Sequence, residues 1–227
     1  MTLGRKLVVE FIGTFFLVFT VCTATSPKTG ADGLAPLAIG AVLMVMVFAG
    51  GHISGGHYNP AISTAVLIRG KLAQPEWVPY MAVQMFAGLI AALVARIVLG
   101  GGGHTAVMPG VGKQFIAEFL FTFALCYVVL NVATAQGTEG NSFYGLAIGF
   151  TVAAGAFAVG GISGGAFNPA VAFGAMVFGI LKWSHIWIYL IANLAGGAAA
   201  AYTFLYVQPA EKPEGDVEAA RAAGSRH

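Results

Sequence analysis

The run SGGHYNPAIS, beginning at Ser54, returns as SGGAFNPAVA, beginning at Ser163. The likeness extends well beyond this run. Leu37-Ala38-Ile39-Gly40 returns as Leu146-Ala147-Ile148-Gly149, and Glu10-Phe11 and Thr14-Phe15 return as Glu118-Phe119 and Thr122-Phe123. Tyr80, Gln84 and Gly88 are matched by Tyr189, Asn193 and Gly197, always at an offset of 108 or 109 residues. A period this long, present twice, marks a duplicated half rather than a solenoid. The repeats run over about 5–104 and 113–207, within one domain of residues 1–210.

Composition decides the solvent. Of the 227 residues 58% are hydrophobic and 9% charged, whereas a soluble domain carries about 25% charged residues. Mean hydropathy is +0.82. Such a chain cannot cover a water-facing surface, so lipid is its expected surroundings. A net charge of +2 gives no reason to expect a nucleic-acid partner. Cys22 and Cys126 lie in apolar runs without metal or redox spacing and read as buried free thiols. The first apolar run lacks a small-residue cleavage site and reads as a retained span.

A span needs about 20 mostly apolar residues. Six segments qualify: 7–25, 34–51, 77–99, 114–135, 143–161 and 185–207. Residues 61–68 and 170–180 are apolar too, but at 1.5 Å per residue they make only about 12–16 Å of helix. Each of these short runs begins at an Asn-Pro-Ala triplet. Three spans per half is an odd number, so the second copy is inverted relative to the first. Inverted repeats place their site near the midplane, where short broken helices meet. The expected fold class is therefore all-α integral membrane, with six transmembrane helices and two re-entrant half-helices.

Non-helical backbone at membrane depth is tolerated only when it is buried in protein or lines a polar cavity. The glycine-rich runs before the triplets should therefore line a water path, carbonyls exposed. Asn59 and Asn168 are good N-caps, and Pro60 and Pro169 suit the first helical position, ahead of Ala61 and Ala170. An Asn whose oxygen caps the helix keeps its amide group as a donor to the lumen. Two helix ends of about +0.5 charge each repel a cation ~4 Å away by roughly 4 kcal/mol at a dielectric of ~20. Such a midplane suits a neutral molecule with an oxygen lone pair. A water accepting from both amides points its hydrogens outward, which breaks a proton wire.

These residues resemble the aquaporins, the major intrinsic protein family, over residues 7–207. The resemblance rests on the paired triplets, the HISGGHYNPA run and the paired glutamates. It implies a pore in each protomer, a homotetramer in a lipid bilayer, a cell-membrane location and cytoplasmic termini. The bases themselves barely vote on orientation, because their counts on the two sides tie once the tail is set aside. By position, Asn59 and Asn168 are the central donors. The carbonyls of Gly55, Gly56, His57 and Tyr58, and of Gly164, Gly165, Ala166 and Phe167, are the acceptor ladder. Glu10 and Glu118 are expected to accept from loop N–H groups; the other reading turns them toward headgroups. His57 matches the loop histidine that narrows one side of the pore, and its five-residue spacing from His52 is not that of a helical zinc pair. His104 is read as a loop histidine, with the outer mouth as the alternative.

The departure lies at the outer filter. Most of the family carries an arginine after the second triplet, with an aromatic, a histidine and a small residue beside it. Here the corresponding positions hold Val171, Ile39, Ala156 and Gly165, all apolar. The implied activity is passive passage of water and small neutral solutes, glycerol, urea, ammonia or peroxide among them. No catalytic constellation, metal or cofactor is expected. The alternatives are a strict water channel, an inverted-repeat secondary transporter, and a junction protein without flux. Trp77, Tyr80, Trp183, Trp187 and Tyr189 read as an interfacial belt. Gly88–Ala92 and Gly197–Ala201 are pairs suited to close helix packing. The tail, 211–227, is polar and expected to be disordered or weakly helical.

Overall fold

The computed structural model describes residues 1–29, 31, 33–105 and 110–211. Among these, eight α-helices follow in order: α1 (Leu3–Ala24), α2 (Ala35–Ser54), α3 (Pro60–Ile68), α4 (Gln74–Val98), α5 (Val111–Ala133), α6 (Tyr144–Ser163), α7 (Pro169–Phe178) and α8 (Ile186–Val207). All but α3 and α7 are long and apolar enough to cross a membrane. Large apolar side chains such as Ile12, Phe16, Phe86, Leu120, Phe150 and Phe157 stand exposed on these spans, as a lipid-facing surface requires.

The duplication is visible in the packing. Helix α1 packs on α4 as α5 packs on α8, and α2 packs on α6 across the join between the halves. Gly40 and Gly149 make that last crossing close. A Cβ on Gly40 would stand 2.6 Å from the Gly149 carbonyl oxygen, and one on Gly149 would stand 2.4 Å from that of Gly40. Each half-helix leans on the other repeat, α3 on α8 and α7 on α4. Gly88 and Gly197, the expected small residues, receive the first turns of the half-helices. A Cβ on Gly88 would lie 2.7 Å from the Ala170 carbonyl oxygen, and one on Gly197 would lie 2.7 Å from that of Ala61.

Two sequence expectations are corrected here. Tyr80 and Tyr189 are fully buried and do not belong to an interfacial belt. Their hydroxyls donate to the carbonyls of Ser54 and Ser163, at the ends of α2 and α6. Trp183 and Trp187 are exposed, while Trp77 is half-buried with its indole N–H on Thr64. The second correction is Glu211. It belongs to the helical body, where its carboxylate pairs with the buried Arg69 guanidinium. The rest of the expected tail, 212–227, lies outside the described residues.

Candidate functional site: a paired half-helix midplane

The site starts with two helices that must begin in mid-membrane. Helix α2 ends on Gly55 and α6 on Gly164, both left-handed with φ of 92° and 89°. The loops then run to Tyr58 and Phe167, which also hold positive φ, 49° and 47°. A non-glycine residue there is strained by about 1–3 kcal/mol unless its surroundings hold it. The holding groups are the glutamates. Glu10 accepts from the His57 and Tyr58 N–H groups at 2.9 and 2.7 Å and from the Ser54 hydroxyl at 2.7 Å. Glu118 accepts from the Ala166 and Phe167 N–H groups at 3.0 and 2.7 Å and from the Ser163 hydroxyl at 2.7 Å. Both carboxylates are fully buried, so neither is turned to headgroups. Ser54 and Ser163 also accept from Gly56 and Gly165 N–H. The sequence reading passed over both serines, although their return at the same offset was available as a signal.

Asn59 and Asn168 then start the half-helices. The Asn59 side-chain oxygen accepts from Ala61 N–H at 2.8 Å, and that of Asn168 from Ala170 N–H at 2.9 Å. Their amide groups cross between the repeats. Asn59 Nδ2 donates to the Phe167 carbonyl at 2.9 Å, and Asn168 Nδ2 to the Tyr58 carbonyl at 2.8 Å. These bonds alter the expectation in two ways. One N–H of each amide is committed to the opposite loop, which leaves one for the cavity. The Tyr58 and Phe167 carbonyls accept from protein and are not simply free rungs of a ladder. Of the remaining carbonyl residues Gly55 and Gly164 are exposed, Gly165 is half-buried, and Gly56, His57 and Ala166 are buried.

A cavity of about 20 Å³ lies between the two Asn side chains. A water needs about 10–15 Å³ of such space, so the cavity holds about one. Ile39, Gly165 and Val171 open on this same cavity. Ala156, the fourth filter position, is not among its lining residues; a Cβ on Gly165 would stand 3.3 Å from the Ala156 Cα. His57 lines the cavity with its ring held by Ser63 at 3.1 Å. Gln84 donates to Ser63 at 3.0 Å and to Glu10 at 2.9 Å. In the second half Ala166 and Ala172 replace His57 and Ser63, and Asn193 turns its oxygen to the Thr122 hydroxyl at 3.0 Å.

On the side where α2, α5 and α8 end lies a separate wide mouth of about 490 Å³, lined by His52, Lys71, Tyr144 and the 134–141 connection. His52 is exposed and does not join His57, and His104 is exposed and lines neither space. Among the described residues no group of His, Cys, Asp or Glu could hold a metal ion. Cys22 and Cys126 are buried and unbridged.

A family model described as "Major intrinsic protein" matches residues 1–50 and 34–204. Among curated proteins the chain is 34% identical to Aquaporin NIP1-1 of Oryza sativa subsp. japonica, covering 92% of this chain and 76% of that protein. It is 36% identical to Glycerol uptake facilitator protein-like 6 of Lactiplantibacillus plantarum, over 87% and 95% of the two chains. Among solved structures the aquaglyceroporin from Plasmodium falciparum superposes with a TM-score of 0.71, covering 89% of this chain and 96% of that one, at 20% identity. Paired half-helices in an inverted repeat, and relatives that share most of this length, lead to one conclusion: the chain belongs to the major intrinsic protein family and is a passive membrane channel for water and small neutral solutes.

Proposed function

We propose that solutes pass Asn59 and Asn168 in single file, and that glycerol or urea passes beside water. The observation that carries this reading is the crossed pair of amide bonds. Each amide lends one N–H to the opposite loop, so the other is held in a known direction at the cavity. A water or hydroxyl accepting there exchanges one set of hydrogen bonds for another, with little penalty. A cation meets the two amide donors and the positive ends of two helices, whose repulsion amounts to several kcal/mol at short range. Proton exclusion follows from the same geometry, because a doubly accepting water cannot also accept from the next water.

The apolar outer set, Ile39, Ala156, Gly165 and Val171, supports the broader solute range. Pore selectivity follows diameter, lining hydrogen-bonders and electrostatic barriers. An arginine would supply all three, and here valine stands in its place. A homotetramer with both termini cytoplasmic in a cell membrane belongs to the same proposal, supported by the family and by the many exposed apolar side chains.

The test is flux into proteoliposomes at matched protein density. Wild type should pass water and at least one of glycerol and urea, without saturation or ion dependence. Val171→Arg should reduce glycerol more than water. Saturating, ion-coupled uptake would favour a transporter. A wild type that passes water alone would reduce the proposal to a strict water channel.

A further inference from the structure

We infer that the solute cut-off of this channel is set at the midplane, by an aliphatic collar whose open side is Val152. The inference rests on the channel reading and adds the residue that determines its specificity.

The aliphatic wall of the cavity between Asn59 and Asn168 holds three repeat-related pairs, Leu17 with Leu125, Leu43 with Val152, and Ile62 with Val171, together with Val21 and Ile39. The six paired residues are at most 6% exposed. None can hydrogen-bond, so a solute there keeps only what the two amides, His57 and the loop backbone offer. The room is about 20 Å³, while two of the four outer positions, Gly165 and Ala156, are among the smallest residues available. Ile39, Gly165 and Val171 share this room, so the side chains that narrow it are its aliphatic ones, and Val171 belongs to both sets.

The collar is lopsided. In two of its three pairs the second-half member is one methylene smaller: Val152 against Leu43, and Val171 against Ile62. Val171 is also an outer position, whereas Val152 belongs to the collar alone, and its helix is closely held. Helices α2 and α6 touch backbone to backbone at Gly40 and Gly149, one turn from Leu43 and Val152. Farther along, Gly155 of α6 sits against Phe121 and Phe167, where an added Cβ would approach each ring to 2.6 Å. Helix α6 can neither retreat nor advance to absorb a change of side-chain size, so the side chain at 152 sets the bore. Interiors packed at this density register a single methylene.

The experiment compares water, glycerol and urea permeability in proteoliposomes for wild type, Val152→Leu, Leu43→Val and Ala156→Leu. Val152→Leu is expected to lower the glycerol-to-water ratio about tenfold, equivalent to ~1.4 kcal/mol of added barrier. Leu43→Val is expected to raise it. Thermal unfolding of each variant confirms that folded protein is compared. An unchanged ratio in both collar variants overturns the inference. So does a larger shift from Ala156→Leu than from Val152→Leu, which would place the cut-off at the outer positions. If wild type passes water alone, the broad solute range fails; glycerol entry through Leu43→Val then still supports the collar, and its continued exclusion overturns it.

Discussion

The two halves of this channel share a backbone but differ in the polarity of their loops. Around the first triplet Glu10, Gln84, Ser63 and His57 form one continuous hydrogen-bonded chain that reaches the cavity. Around the second, Ala166 and Ala172 replace the histidine and serine, and the wall is apolar. The bonds that both halves keep are those that hold a re-entrant loop: glutamate to two N–H groups, serine to glutamate, tyrosine to the serine carbonyl. Those bonds serve folding, and a duplicated chain needs them twice. Side chains facing the solute are under no such constraint, because a single pore passes through both halves in series and each may take a different role.

The halves differ most where the half-helices end. Helix α3 is followed directly by Arg69, which is 3% exposed and holds the side chain and carbonyl of Glu211, with the Phe204 ring 5.2 Å away. Glu211 in turn accepts from Gln136 N–H, in the connection that lines the wide mouth. The matching residue of α7 is Phe178, whose carbonyl simply accepts from Gly103 N–H at 2.9 Å. Removing one partner of a buried pair costs about 3–5 kcal/mol, whereas replacing both by apolar groups is often neutral. Arg69→Met should therefore lower thermal stability sharply, and Arg69→Met with Glu211→Leu should recover much of the loss. Unfolding curves in detergent for the two single variants and the double variant check this. Additive losses would show that the pair does not act as a unit.

A smaller effect should come from the shared braces. Glu10→Gln and Glu118→Gln each place an amide among N–H and O–H donors, and a hydrogen bond to a charged group contributes about 1.5–3 kcal/mol. Both variants should lose yield and thermal stability more than they change solute preference. The Glu10 loss should be the larger, because Gln84 carries its effect on to Ser63 and His57. Normal stability with altered selectivity would contradict the bracing role, and a Glu118 loss as large as that of Glu10 would erase the difference between the halves.

Much of this organisation was legible in the residues. Six apolar segments, two short ones and an offset of 108 or 109 residues were enough for the fold, because lipid permits few ways to place backbone at its centre. The N-caps could be read from Asn59-Pro60 and Asn168-Pro169 because capping is local chemistry. What stayed hidden depends on contacts between distant residues. The crossing of each Asn amide to the other repeat joins positions more than 100 residues apart. Tyr80 and Tyr189 looked interfacial because aromatic residues near span ends usually are, yet their hydroxyls brace buried loops. Glu211 looked like the start of a polar tail because its partner, Arg69, lies 142 residues earlier. Val152 was invisible for another reason: in a helix apolar on every side, hydropathy cannot say which valine faces the pore.

The smallest expected effect tests whether the polar wall acts on solute or only on folding. Ser63 donates to or accepts from His57 and Gln84, and its hydroxyl is fully buried. Ser63→Ala removes that link and should cost about 1 kcal/mol, the usual net value of one hydrogen bond. It also frees the His57 ring, which lines the cavity, so water permeability should shift modestly while the fold survives. The reciprocal change, Ala172→Ser, introduces a hydroxyl at a fully buried site whose neighbouring wall carries no histidine to receive it. An unsatisfied buried polar group costs about 1–3 kcal/mol. Stability should therefore fall in both variants, but flux should respond in Ser63→Ala alone. Paired unfolding and water-flux measurements decide the matter. If Ser63→Ala loses stability and leaves permeability unchanged, the polar wall is a folding device like the glutamates, and the two halves differ less in function than in composition.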